Sequence, residues 1–184
     1  MSIKVITGPN TRFSFVNIFS PKSINGSDPK YSMQVHIPKD DKKTVAKVEK
    51  AMKQAYEEGL TKLKGNSKSN PPYETLKKPL RDGDAEHPDD EVYHGYYFIN
   101  ANNSQKPGVV DGDCEPILDP SEVYSGCYGR VSLNFFAFNS NGNKGIAASI
   151  NNVQKLRDGI PLSGHSRPED DFSGEEDDDD DFLS

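Results

Sequence analysis

A chain of 184 residues suits one domain with appendages. A hydrophobic fraction of 33%, 13 Pro, 15 Gly and a mean hydropathy of −0.79 predict a modest core carried on long loops, and no apolar run approaches the roughly 18 residues that cross a bilayer. The net charge of −7 is uneven: ten of the 29 acidic residues fall in 169–184, which has no Lys or Arg, and the remaining 19 face 22 basic residues, so the body carries +3. A mildly basic body joined to an acidic end is the asymmetry of a nucleic-acid partner.

Residues 2–7 form a short apolar stretch without the long apolar run of a secretory signal, and the expected compartment is the cytoplasm. Residues 11–19 read as a strand with Phe13, Phe15 and Phe19 on one face, assigned to the core, and Arg12, Ser14, Val16 and Ile18 on the other. A second strand, 31–37, sets Tyr31, Met33, Val35 and Ile37 against Ser32, Gln34 and His36, and Pro38 stops it. Asp40 or Asp41 then caps a helix in which Val45, Val48, Met52, Ala55 and Tyr56 recur at helical spacing, ending near Gly59 or Gly65. Its lysines, Lys42, Lys43, Lys47, Lys50 and Lys53, face outward.

Residues 66–90 read as a long loop pinned by Leu76 and Leu80. Three further strands are expected at 95–101, 126–138 and 145–153, the last two joined by a hairpin at Asn141-Gly142. The expected fold is mainly β with one principal helix, an OB-fold built as a five-stranded Greek-key barrel. In that fold the helix follows the third strand, so either residues 2–7 add a first strand or the helix is displaced; an open α+β sheet is the alternative. The domain reading is a folded body over 1–158, a linker over 159–168 and a disordered acidic tail over 169–184. In the tail like charges repel, and Phe172, Phe182 and Leu183 supply little apolar surface to offset the entropy of ordering.

The strand 127–138 carries the most chemistry. Cys127, Gly129, Val131, Leu133, Phe135 and Ala137 share a face suited to a barrel interior, and Tyr128, Arg130, Ser132, Asn134, Phe136 and Phe138 share the other. Rings beside cations and hydrogen-bonding groups are what a single-strand binder needs, because any base can stack on a ring while cations track the phosphates. Phe136 and Phe138 have a packing role under the helix or the long loop as the alternative. By the same logic Tyr96 and Phe98 form a second candidate pair, with Arg12, Lys22 and Lys30 as phosphate contacts. His87, Asp89, Asp90, Glu91 and His94 fall within eight residues, but their spacing matches no zinc or calcium motif, and neither a P-loop nor a metalloprotease motif occurs. No catalytic residue, metal or cofactor is expected, and Cys114 and Cys127 read as core thiols.

The segments Gly95-Tyr96-Tyr97-Phe98-Ile99-Asn100-Ala101, Tyr124-Ser125-Gly126-Cys127-Tyr128-Gly129-Arg130-Val131 and Lys144-Gly145-Ile146-Ala147-Ala148-Ser149-Ile150-Asn151-Asn152-Val153-Gln154 resemble the single-stranded DNA-binding proteins of bacteriophages, relatives of the T7-type binding protein. The resemblance implies an OB fold, no catalytic activity, and sequence-independent binding that protects single strands during phage DNA replication, recombination or repair in the cytoplasm of the bacterial host. It also implies an acidic C-terminal tail ending near an aromatic residue; ten tethered carboxylates can compete with phosphates for the basic groove, so the tail is expected to regulate binding and, once displaced by DNA, to recruit replication or recombination proteins. The matching end here is Asp177, Asp178, Asp179, Asp180, Asp181 and Phe182, with Phe182 two residues short of the terminus. Alternatives are an adaptor acting through its tail and a metal-dependent nuclease using the His87–His94 cluster. A homodimer is left open.

Overall fold

The computed structural model describes residues 3–23 and 26–162. Eight strands follow the chain as β1 (Ile3–Ile6), β2 (Thr11–Lys22), β3 (Lys30–Pro38), β4 (Leu80–Asp82), β5 (Tyr96–Asn103), β6 (Gly108–Val110), β7 (Tyr128–Ser140) and β8 (Asn143–Arg157). Helices α1 (Lys42–Glu58) and α2 (Leu60–Lys64) lie between β3 and β4, and the one-turn α3 (Gly83–Glu86) follows β4. Among the described residues no helix is long and apolar enough to cross a membrane.

The pairings close a ring. β2 pairs with β3, β3 with β5, β5 with β8, β8 with β7, and β7 returns to β2. All are antiparallel except β5 with β8, which touch in parallel at Asn102 and Ser149. β1 adds to the outer edge of β7, β6 to β8 and β4 to β5. The molecule is thus mainly β, few-helixed and OB-like, and the open sheet does not describe it. Residues 3–6 do form a first strand, but it stands outside the ring, so within the ring the helix lies between the second and third strands and is displaced as well.

Alternation along β7 holds as expected. Val131, Leu133 and Phe135 are fully buried with Phe13, Val35, Ile37, Ile99 and Ile150. Asp41 caps α1 by accepting from the Thr44 backbone N–H, and the Thr44 hydroxyl donates to Asp41 Oδ2 at 2.7 Å. The Gly8 N–H donates to that same hydroxyl at 3.0 Å, fastening the helix start to the β1–β2 turn. Val45, Val48, Ala51, Met52 and Ala55 recur on the buried face of α1, which packs on β1 and β7, so the helix covers one end of the barrel.

Four expectations change. Of the two cysteines read as core thiols only Cys127 is buried, and Cys114 is exposed. Residues 66–90 are more than a loop: Leu76 is buried and Leu80 packs on the core, but β4 and α3 also form there. β3 is buried on both faces, Gln34 and His36 included, because residues 80–93 fold over its outer side. Phe13, Phe15 and Phe19 do not share a face. Phe13 is buried and Phe19 packs on the core's rim, while Phe15 is 63% exposed. The β2–β3 register slips between Ser14 and Asn17, and Phe15 sits in that bulge at φ 47°, which turns its side chain out of the barrel.

Closure depends on a close backbone approach at Gly129. A Cβ there would collide with the carbonyl oxygen of Gln154 and lie 2.8 Å from Phe13 Cζ. Gly129→Ala is therefore expected to cost about 3 kcal/mol or more of unfolding free energy, read as a lower urea midpoint. Gly142→Ala, at a hairpin tip with nothing within 4 Å, is expected to cost less, since only its positive φ resists the change.

Candidate nucleic-acid interface

The outer surface of β2, β3 and β5 carries a groove of about 290 Å³. Phe15 lines it together with Met33, Ala101, the amides of Asn17, Gln34, Asn100 and Asn102, Ser32 and Lys22. Register explains the grouping. Ser14 lies opposite Gln34 and Gln34 opposite Asn100; Asn17 lies opposite Ser32 and Ser32 opposite Asn102. Two rows of short polar side chains therefore cross three strands on one face.

The floor is held from behind by a polar relay. Gln34 Oε1 accepts from the Tyr93 hydroxyl at 2.8 Å and lies 2.7 Å from His36 Nε2, while Gln34 Nε2 donates to Asn100 Oδ1 at 2.9 Å. With its carbonyl so engaged, Asn100 presents N–H donors to the groove. Around His36 the rings of Tyr93, Tyr96 and Phe98 pack at centroid distances of 4.9, 5.6 and 6.2 Å, and His87 stacks on Tyr93 at 4.0 Å.

Cations stand at both ends of the groove. Lys22 pairs with Lys30 at the turn end of the β2–β3 hairpin, and neither enters an ion pair among the described residues. Like charges directly opposite on adjacent strands repel, so this pairing is relieved by an anion between them. At the other end Arg12 pairs with Tyr128 and its guanidinium lies 5.3 Å from that ring, with Arg157 at 4.3 Å. Arg12 Nε donates to the Gly126 carbonyl at 3.2 Å and Nη2 to the Ile160 carbonyl at 2.9 Å. The Leu162 N–H donates to the Ser125 carbonyl at 2.8 Å, so residues 159–162, assigned above to the linker, are strapped across this end of the barrel. Tyr96 joins the group: burial foremost, and then Tyr128, raise its phenol pKa, while Arg12 and Arg157 oppose the rise.

One face thus brings together the exposed ring of Phe15, amide donors and lysines outside any ion pair among the described residues. The family model described as the ssDNA-binding protein of Enterobacter phage Enc34 matches residues 3–183. The chain belongs to this family. The putative protein p50 of Acyrthosiphon pisum secondary endosymbiont phage 1 is 30% identical over 162 residues, covering 84% of each chain. Among solved structures, the Enc34 single-stranded DNA-binding protein in complex with ssDNA is 27% identical, with a TM-score of 0.68 over 88% of this chain and 89% of that one. Gp2.5, a single-stranded DNA-binding protein of bacteriophage T7, shares the fold at 15% identity, with a TM-score of 0.61 over 89% of this chain and 97% of its own.

In this member of the Enc34 family the expected site residues separate into three places. Arg12, Lys22, Lys30, Tyr96 and Tyr128 lie on or beside the groove face. Phe98 does not: it is 1% exposed, beneath Arg81 at 5.1 Å and against Tyr93, so it belongs to the covered ring cluster and offers no stacking surface. The outward row of β7 is not one surface either, because a strand of 13 residues coils around the barrel and meets different neighbours along its length. Arg130 donates to the Thr7 carbonyl at 3.1 Å, beside β1. Asn134 donates to Asn151 Oδ1 at 2.6 Å within a β7–β8 ladder. Phe136 lines a cleft with Glu58, Gly59 and Lys62 at the α1–α2 junction, and Phe138 lies opposite Gly145, where the chain at Lys77 crosses. Both phenylalanines are half-buried and stand apart from the groove of β2, β3 and β5. The acidic positions from Asp177 to Asp181 and Phe182 lie outside the described residues.

The His87–His94 cluster is dispersed. His87 stacks on Tyr93, His94 Nε2 contacts the Pro88 carbonyl at 2.8 Å, and Asp90 accepts from the Val92 N–H. Phe15, Gln34 and Asn100 are groove residues that strand alternation misses. Nothing in period-2 patterning marks a bulge, and Asn100 and Asn102 are outward polar residues like any others.

Burial pushes the His36 pKa down to about 4; the Val92 backbone acts against this, Arg12 and His87 with it, and Asp90 against it. An unfolded histidine titrates near 6.5, so below that pH the unfolded chain takes up a proton that the folded chain refuses. The contribution of neutral His36 is whole above pH 6.5 and is lost as the pH falls toward 4, about 3 kcal/mol in all. Urea unfolding at pH 7 and pH 4 is expected to show a larger acid loss for the natural chain than for His36→Gln.

Proposed function

We propose that the chain binds single-stranded DNA without sequence preference across the β2–β3–β5 face, as a five-stranded Greek-key OB barrel that acts by binding and not by catalysis. The observation that carries this reading is Phe15, a phenylalanine 63% exposed at a β-bulge in a left-handed backbone. Exposing such a ring forgoes roughly 1.5–3 kcal/mol of burial, and the positive φ of a non-glycine residue adds strain. Both costs are offset when a base stacks on it. The amides beside it match base edges or sugars indiscriminately, and Lys22, Lys30 and Arg12 lie where a backbone entering or leaving the groove sets its phosphates. Membership in the Enc34 family and the likeness to a relative described in complex with ssDNA support the same reading.

The biological setting that follows is phage DNA replication, recombination or repair in the infected bacterium's cytoplasm. There the protein protects single strands, and its acidic tail over 169–184 regulates access and recruits other proteins of that machinery. The described chain ends at Leu162 with its last residues held by Arg12 and Ser125, at one end of the groove, which supports a tail that acts near the bound strand.

Fluorescence-anisotropy titration with labelled oligonucleotides tests the reading. Single strands are expected to bind more tightly than duplex of equal length, because bases stacked in a duplex cannot lie on Phe15. Phe15→Ala is expected to cost about 1–3 kcal/mol of affinity with an unchanged melting temperature, and Lys22→Ala to reduce the salt slope by about 0.7. Phe98→Ala is expected to lower the melting temperature instead, as its ring is buried. Unaltered affinity in Phe15→Ala would remove the groove from the reading.

A further inference from the structure

Beyond Arg12 the outer surface of the barrel passes from β2 to the first half of β7, where β2 and then β1 lie along one edge and β8 along the other. Val131 and Leu133 are buried, so alternation puts Tyr128, Arg130, Ser132 and Asn134 on the outside. β1 sets Ile6 opposite Ser132 and Lys4 opposite Asn134, both exposed, while Val5 between them enters the core. From the other edge β8 sets Arg157 opposite Tyr128, Gln154 opposite Arg130 and Ser149 opposite Asn134.

Amides and cations recur on this face. The β7–β8 register slips between Ser132 and Leu133, and the slip leaves Asn151 as an extra residue of β8. Asn134 Nδ2 donates to Asn151 Oδ1 at 2.6 Å, and Asn151 Nδ2 donates to the Ser132 hydroxyl oxygen at 3.3 Å. This ladder leaves Asn134 Oδ1 as an acceptor and the Ser132 O–H as a donor, so groups of either polarity find a partner. Arg12 and Arg157 both lie on the Tyr128 ring, and neither they nor Arg130 and Lys4 enter an ion pair among the described residues. Two guanidinium groups held on one ring without a carboxylate repel each other, and an anion between them relieves this. Arg130 leans toward β1, donating from Nε to the Thr7 carbonyl at 3.1 Å. Acids keep away from this side: Asp158 is paired with Lys155 at 2.5 Å, and the exposed Asp113 and Glu115 follow β6, which lies on the far edge of β8.

We propose that the outer face of β1, β7 and β8 is a second part of the single-strand path. A strand leaving the groove turns over the row of Arg12, Tyr128 and Arg157 and continues along β7, with phosphates at Arg157, Arg130 and Lys4 and base or sugar edges on Ser132 and Asn134. The inference rests on the reading of the β2–β3–β5 face as the DNA site. Continuity supports it, because Arg12 belongs to both faces: it lies opposite His36 on β3 and opposite Tyr128 on β7. From Tyr128 to Asn134 the path adds about 20 Å, so it is used only by a strand long enough to span both faces. Phe15 has no counterpart here, and the Tyr128 ring is already flanked by two guanidinium groups. The second face therefore holds the strand by its phosphates, and its contribution fades as salt rises.

Anisotropy titrations of the full chain with thymidylate oligonucleotides of about 5 and about 15 nucleotides, near the two ends of the range covered by one OB fold, separate the faces. Lys4→Ala combined with Arg130→Ala is expected to weaken binding of the longer strand about fivefold or more and to lower its log–log salt slope by about 1.4, the loss of two phosphate contacts. The shorter strand is expected to bind as before. Circular dichroism melts show whether the variants fold. Should the loss of the Arg130 bond to Thr7 prevent folding, Lys4→Glu alone, at an exposed side chain, is expected to weaken the longer strand about threefold or more and spare the shorter. Lys43→Ala, on α1, is expected to change neither. Phe15→Ala weakens both strands if the groove is the DNA site; no effect there would overturn that reading and this extension with it. Where Phe15→Ala weakens both, Lys4 and Arg130 variants that weaken neither strand, or both equally, would overturn the second face and leave the groove standing.

Discussion

The architecture hangs on β7, which hydrogen-bonds to three strands: β1 and β2 along one edge and β8 along the other. Its pairing with β2 covers only Thr11 with Gly129 and Arg12 with Tyr128, yet without it the ring would open into a sheet. The contact is possible because Gly129 lets the Gln154 backbone and the Phe13 ring come against the strand where any side chain would hold them off. Arg12 and Tyr128 meet on the outer surface for the same reason. The closure that seals the core also sets the cation and the ring at the end of the groove.

On the outer surface the question is what is covered and what is left. Residues 80–93 fold over half of the β3–β5 face and bury His36 and Phe98 there, while Lys39 pairs with Asp82 at 2.6 Å and Asp84 at 2.8 Å and Arg81 pairs with Glu86. Those carboxylates are answered locally and stay out of the groove. The Lys39 ammonium pKa is raised by its hydrogen bonds to Asp82 and then Asp84, which keeps the pair charged through the ordinary pH range. The uncovered half keeps Phe15, the amides and the lysines. Gln34 joins the two halves, since the groups that hold its carbonyl are buried and its amide holds a residue of the groove.

Charge is divided in the same way at larger scale. The body's +3 is not spread evenly: lysines outside any ion pair among the described residues stand at the hairpin end of the β2–β3–β5 face and along the groove between β1 and α1. The described chain ends in a strap bonded to Arg12 and Ser125. An exposed ring and amides accompany the cations on the β2–β3–β5 face, whereas aliphatic side chains and an open strand edge accompany them on the other. The two surfaces therefore suit different ligands despite a shared sign of charge.

Some of this was legible before any coordinates. The alternation of Val131, Leu133 and Phe135, the cap at Asp41, the helical spacing from Val45 to Ala55 and the Asn141-Gly142 hairpin are local signals, and local signals decide strands, caps and turns. Composition alone separated a basic body from an acidic end, and the resemblance of three segments pointed to the family. Of the residues on or beside the candidate groove, Arg12, Tyr96, Tyr128, Lys22 and Lys30 can be named from period and position, as outward strand residues and loop-flanking lysines. Tertiary structure decided the rest. Whether Phe15 is core or surface turns on a register slip against β3, whether Phe98 is surface or core turns on a segment folding back over it, and where Arg130, Asn134, Phe136 and Phe138 point turns on how β7 coils past its neighbours. Each is a long-range contact, and a sequence read by its local periods carries no record of which distant chain will lie on top.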